Sequence, residues 1–137
     1  MNYDELVKKA IEMTNRSYAP YSHFHVGAAL LAKDGSVWTG CNIENAAYGP
    51  SNCAERTAVF KAVSEGVLEF EAIAIAGGPE DSNGKPVIQD FCPPCGVCRQ
   101  VLSEFCKSDF KIILVNGAGQ EKVFTLGQLL PESFSLN

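Results

Sequence analysis

Two short cysteine segments constrain this chain most tightly: Asn52-Cys53-Ala54-Glu55 and Pro94-Cys95-Gly96-Val97-Cys98-Arg99-Gln100. Each stands where a helix is expected to begin. Ala54, Ala58, Val59, Ala62 and Val63 give one apolar face to a helix from Cys53 to Glu65, and Gly66 is a natural stop. Pro94 is suited to open a second helix reaching about Cys106, with Val101, Leu102 and Phe105 on its apolar side. A Cys-x-x-Cys at a helix start aims two sulfurs at one spot, because the second lies nearly one turn on. The positive end of the helix dipole there favours thiolate, the form that binds metal.

The remaining elements follow from spacing and turn residues. Asn2 and Glu5 read as a capping box, and Leu6, Val7, Ala10 and Ile11 continue a helical stripe to about Arg16. Ser17 to Ser22, with Pro20, breaks that helix. His25 to Lys33 reads as a buried strand, Asp34-Gly35 as a hairpin turn and Ser36 to Cys41 as its partner. Asn42 to Asn52 is a polar loop. Glu71 to Ala76 and Lys111 to Val115 are buried strands, and a short strand is expected near Val123-Phe124 after the turn at Asn116-Gly117. Thr125 caps a last helix through Leu130, and Gly77 to Asp90 reads as a polar, mobile loop. The order α-β-β-α-β-α-β-β-α implies an α/β fold of one domain, 1–137. Its expected architecture is three-layer α-β-α around a mixed, roughly five-stranded sheet.

Charge narrows the partners. The net charge is −5, with no run of Lys or Arg. A nucleic acid polymer needs a basic track to displace counterions, so the expected ligand is small and neutral. No apolar stretch nears the ~20 residues of a membrane span. The acidic N-terminus lacks the features of a signal peptide, which points to the cytoplasm. Disulfides are rare there, so the six cysteines are expected to be buried, metal-bound or reactive.

A third thiolate from the other helix start would complete three protein ligands, and three ligands plus a bound water is the arrangement of a catalytic zinc site, whereas structural zinc usually has four. Zinc makes hydroxide available near neutral pH, and a proton shuttle must stand beside it. Glu55, on the same helix turn as Cys53, is the candidate. Asn52-Cys53-Ala54-Glu55 also fits a capping box, which leaves a purely structural reading of Glu55 open. Cys92 forms a second Cys-x-x-Cys with Cys95, but Pro93 and Pro94 keep that stretch extended, so it is expected to point elsewhere. Cys41 and Cys106 read as small buried residues. His23 and His25 alternate around Phe24 at a strand start, one facing solvent, rather than ligating metal. Arg99 reads as a helix or interface salt bridge.

Cys-Ala-Glu followed by Pro-Cys-x-x-Cys is the signature of zinc deaminases acting on nucleobases. Further segments extend the likeness: Tyr18-Ala19-Pro20-Tyr21-Ser22, Phe24 to Ala29, Gly40 to Tyr48, Cys53 to Ala58, Pro94 to Gln100 and Leu129-Leu130-Pro131. Through them the chain resembles the small homotetrameric cytidine deaminases almost end to end. The related deaminases of nucleotides and tRNA tend to carry His where this chain has Cys53. The resemblance implies a cytidine deaminase-like fold and deamination of free cytidine and deoxycytidine in pyrimidine salvage. It implies zinc (Zn2+) on Cys53, Cys95 and Cys98, and Glu55 as general acid and base. Phe24 would pack on the nucleoside, Asn42 and Glu44 would bind the ribose hydroxyls, and the Ala54 N–H would reach the pyrimidine. Arg56 would hydrogen-bond the sulfurs, and Tyr48 and Phe134 would enter a neighbouring subunit's site. The Gly77–Phe91 loop is longer than is usual for that family. A blasticidin-type deaminase shares the same core, and a structural-zinc or dithiol redox module is the non-enzymatic alternative.

Overall fold

Side-chain alternation along the strands divides the core in two. The computed structural model describes residues 3–136. Its elements are α1 (Asp4–Met13) with a 3-10 turn (Thr14–Arg16), β1 (Phe24–Ala32), β2 (Val37–Cys41), α2 (Ala54–Ser64), β3 (Phe70–Pro79), α3 (Gly96–Phe105), β4 (Lys111–Val115), β5 (Glu121–Thr125) and α4 (Leu126–Leu129). Ala28 and Leu30 of β1, Ile73 and Ile75 of β3, and Ile112 and Leu114 of β4 face a core that includes Ala54, Ala58 and Val59 of α2 and Leu102 of α3. Their neighbours Ala29, Leu31, Ala72, Ala74, Ile113 and Val115 face Leu6, Val7 and Ala10 of α1. That is the period of two expected of strands buried on both faces. The result is three layers, with α1 on one side of the sheet and α2 and α3 on the other.

The sheet is mixed, as expected, with five strands in the order β2-β1-β3-β4-β5. β3 and β4 are parallel, while β1–β2, β1–β3 and β4–β5 are antiparallel. This one parallel pair matters most for function. Each of its strands follows a helix on the same face, so both helices start at the same end of the sheet.

Close packing then fixes α2. A Cβ on Gly40 of β2 would lie 2.4 Å from the Ala54 carbonyl and 2.6 Å from the Ala58 nitrogen. Only glycine lets the first turn of α2 settle this deeply, and Cys53 is the residue that caps that turn. On the other face, a Cβ on Gly27 would lie 2.0 Å from the Ala10 carbonyl, so α1 packs against β1 by the same device.

Element boundaries shift in physically readable ways. Pro94 precedes α3 rather than opening it, because Cys95 is the cap and its sulfur accepts the Cys98 N–H. β3 runs past Ala76, with Gly77, Gly78 and Pro79 pairing to Val26, His25 and Phe24. The loop therefore begins at Glu80, and backbone and side-chain bonds tie it down at several points. The Asp81 carboxylate accepts the Asn83 and Lys85 N–H groups, Val87 N–H donates to Pro79, and Gly117 N–H donates to Gln89. Thr125 caps α4 in a complete capping box with Gln128. The capping box expected at Asn2 lies outside the described residues. Among the described residues, no helix is long and apolar enough to cross a membrane.

Candidate active site

The two helix starts deliver their sulfurs to one point. Cys53 and Cys95 both take the extended conformation of an N-cap, and Cys98 lies on the first turn of α3. The Cys53 and Cys95 sulfurs are 3.7 Å apart, those of Cys95 and Cys98 are 3.3 Å apart, and all three lie within 4.8 Å of one another. Tetrahedral zinc with bonds near 2.3 Å would set its sulfurs about 3.8 Å apart. The cluster has three donors, and Cys92 is not one of them.

The surroundings suit thiolates. Arg56 donates from Nη2 to the Cys53 sulfur at 3.3 Å, and its buried Nε lacks a hydrogen-bond partner among the described residues. A hydrogen bond from the Cys98 thiol, with help from Arg56, holds Cys53 down to about 5. Cys98 is pushed up, first by that same bond to Cys53 and then by burial. Cys53 and Cys98 thus share a hydrogen bond that a divalent ion would replace by binding both as thiolates. Three thiolates exceed the charge of such an ion, and the guanidinium offsets the surplus. The donor set fits zinc.

Glu55 stands on the first turn of α2 with only 4% of its surface exposed. Burial pushes its carboxyl up to about 7, and the negative sulfur of Cys53 adds to the effect. A carboxyl poised there can both take and give a proton near neutral pH. The capping-box reading is not realised: Cys53 caps α2 without a side-chain hydrogen bond, and Asn52 Nδ2 donates instead to Thr57 Oγ1 at 3.2 Å.

Glu55, Cys53 and Cys95 open into a cleft of about 640 Å³ that Phe24, Val26, Asn42, Glu44 and Ala54 also line. Asn42 is clamped across β1, accepting the Val26 N–H and donating to the Phe24 carbonyl, both at 2.8 Å. Glu44 accepts the N–H groups of Tyr21 and Ser22 at 3.0 and 3.1 Å, along with the Ser22 hydroxyl. Desolvation works against ionising Glu44, but the hydrogen bonds from Ser22 and Tyr21 outweigh it and hold the carboxyl below its usual range. Tyr48 lies on the cleft rim with 72% of its surface exposed. Phe134 does not line the cleft: it is 70% exposed, and its carbonyl accepts Gln100 Nε2 at 3.2 Å on α3.

The model of the cytidine and deoxycytidylate deaminase zinc-binding region matches residues 1–114. The chain belongs to that deaminase family. It is 50% identical to a cytidine deaminase of Halalkalibacterium halodurans, over 98% of this chain and 96% of that protein. The solved cytidine deaminase of Burkholderia pseudomallei superposes with a TM-score of 0.85 at 44% identity, covering 98% of this chain and all of that one. A blasticidin-S deaminase of Bacillus cereus is 32% identical over 97% of this chain and 92% of that protein.

Two details of this deaminase differ from the sequence-based expectation, and a third extends it. Cys92 does not point away, because it lines the cleft wall together with Pro93. Gly77 allows this, since a Cβ there would lie 2.9 Å from the Cys92 sulfur. Arg99 makes no salt bridge among the described residues: it donates to the Pro94 and Leu129 carbonyls, both at 2.8 Å, and ties α4 to the approach to Cys95. For the histidines the expectation holds, with His23 exposed, His25 buried and neither in the sulfur cluster; what is added is that both engage Glu80, a partner that no motif announced. A doublet of imidazoles opposite a loop carboxylate is a long-range pairing, and local spacing carries no trace of it.

Removing the guanidinium beside the thiolates should loosen the metal. Arg56→Gln is expected to weaken zinc retention roughly 10- to 100-fold in chelator competition. Unaltered retention would mean that Arg56 does not balance the sulfurs.

Proposed function

We propose that this deaminase hydrolyses free cytidine and deoxycytidine to uridine and deoxyuridine, releasing ammonia, as a step of pyrimidine salvage. One observation carries the reading. A carboxyl pushed up to about 7 by burial stands beside three sulfurs in a cleft that the Asn42 amide and the Glu44 carboxylate also line.

Cys53, Cys95 and Cys98 would hold zinc, which supplies a Lewis acid that makes water a competent nucleophile near neutral pH. Glu55 takes a proton from the attacking water and passes it to N3 of the pyrimidine. Once hydroxyl has added to C4, Glu55 takes the remaining proton of that hydroxyl and delivers it to the exocyclic amino group, which leaves as ammonia while the C4 carbonyl forms. The same carboxyl is first base and then acid, the cycle for which a value of about 7 suits it. Ala54 opens α2, so its N–H is one of the helix donors without an intrahelical acceptor and can serve the pyrimidine. Phe24 packs on the nucleoside. Asn42 and Glu44 bind the ribose hydroxyls, both already oriented by the backbone bonds they make.

Tyr48 and Phe134 are the exposed aromatics that we assign to a neighbouring subunit's site, in a homotetramer. Both are exposed in a single chain, and Tyr48 stands at the cleft, so a neighbouring subunit could meet them. We place the protein in the cytoplasm, consistent with six unpaired cysteines. Deamination of a blasticidin-type substrate is the second reading, favoured by the likeness to the Bacillus cereus protein. The three-donor cluster argues against a purely structural zinc.

Glu55→Gln should keep one zinc per chain yet lose ammonia release by roughly 10²- to 10⁴-fold. An active Glu55→Gln protein would remove the carboxyl from the mechanism. Sedimentation of the wild-type enzyme at working concentration should show four chains in the active species, and an active monomer would refute the shared site.

A further inference from the structure

We infer that Glu80 is a positioning residue for Phe24, setting how tightly the nucleoside is held without touching it. The inference rests on the proposed packing of Phe24 against the nucleoside. Glu80 is the first residue after β3 and does not line the cleft. Its carboxylate takes both imidazoles that flank Phe24: His23 Nδ1 lies 2.9 Å from Oε1, and His25 Nε2 lies 2.7 Å from Oε2.

The two arms differ in character. His25 is buried, and its Nδ1 meets the Ser17 hydroxyl, which in turn donates to the Thr14 carbonyl at 2.8 Å. This arm ties the start of β1 back to the turn after α1. His23 is exposed and sits at φ 58, in the left-handed region that a residue with a Cβ seldom occupies. A tether helps to keep it there.

Phe24 is held from both sides. Its N–H donates to Ser22 Oγ at 3.1 Å and its carbonyl accepts Asn42 Nδ2 at 2.8 Å, so its backbone is locked to the residues at the hydroxyl-binding end. Side chains alternate across a strand. Holding His25 on one face of β1 leaves Phe24 directed to the other, and holding His23 fixes the chain where it turns into the strand at Phe24.

The anchor itself is stiff. The loop that carries Glu80 folds back so closely that a Cβ on Gly78 would lie 1.9 Å from the Val87 carbonyl. Glu80 pairs with Pro86 across that loop, and Gly117 holds its far end through Gln89 at 2.8 Å. The same segment continues to Cys92 and Cys95. One loop thus braces the aromatic wall of the cleft and delivers a sulfur to its floor.

The test is a double-mutant cycle on the zinc-loaded full chain with cytidine as substrate, using Glu80→Ala, Phe24→Ala and the pair. Losing two hydrogen bonds behind Phe24 should raise KM about five- to tenfold with kcat within about twofold, the pattern of lost binding rather than lost chemistry. Zinc content should not change. In the Phe24→Ala background, adding Glu80→Ala should leave KM where it was. Glu80→Gln, which can still bond both imidazoles, should restore KM, and His23→Ser should give a smaller rise that also vanishes without Phe24.

Effects of Glu80 and Phe24 that simply multiply would overturn the inference. So would an unchanged KM in Glu80→Ala beside a raised KM in Phe24→Ala, which leaves the proposed role of Phe24 standing. A wild-type KM in Phe24→Ala would instead remove Phe24 from the nucleoside site, and the inference would fall with it. If Glu80→Ala does not fold, His23→Ser decides between the same outcomes, because His23 is a surface side chain.

Discussion

The parallel pairing of β3 with β4 is the constraint on which the site depends. It makes α2 and α3 run side by side, so that their N-termini converge. Convergent helix starts bring two positive dipole ends and several unpaired N–H groups to one place, an environment that favours negative charge. Cys53, Cys95 and Cys98 occupy it with sulfur. Without the parallel pair, the same cysteines would sit at opposite ends of the sheet. Gly40 completes the arrangement by letting the cap of α2 sink against β2.

Charge then separates the roles of neighbouring groups. Arg56 and Glu55 both lie within one turn of Cys53 but meet it from different environments. The guanidinium hydrogen-bonds the sulfur and favours thiolate. The carboxyl, buried and close to the same negative sulfur, is driven toward its neutral form. One turn of helix thus stabilises an anion on one side and holds an exchangeable proton on the other. Hydrolytic deamination needs both.

Much of this was legible in the sequence because it is local. The Asp34-Gly35 hairpin, the Thr125 cap and the step between Cys95 and Cys98 all follow from neighbours a few residues apart. The mixed sheet followed from element order. What sequence alone could not supply are contacts made across the fold. β3 extends beyond Ala76 because β1 is there to pair with Gly77 to Pro79. Cys92 turns into the cleft because Gly77, fifteen residues earlier, leaves it room. Arg99 finds two backbone carbonyls rather than a carboxylate, and Glu80 finds two histidines more than fifty residues away. The roles of Asn42 and Glu44 came from resemblance, and the structure adds the reason that they are oriented: each is tied to backbone before any ligand arrives.

Substrate class is the claim that most needs measurement. The direct test is ammonia release from cytidine, deoxycytidine, dCMP and blasticidin S by one preparation, with zinc determined on the same sample. Rapid release from both nucleosides is expected at one zinc per chain, with dCMP and blasticidin S turned over poorly. Preferential release from blasticidin S or dCMP, or undiminished activity in protein without zinc, would contradict it.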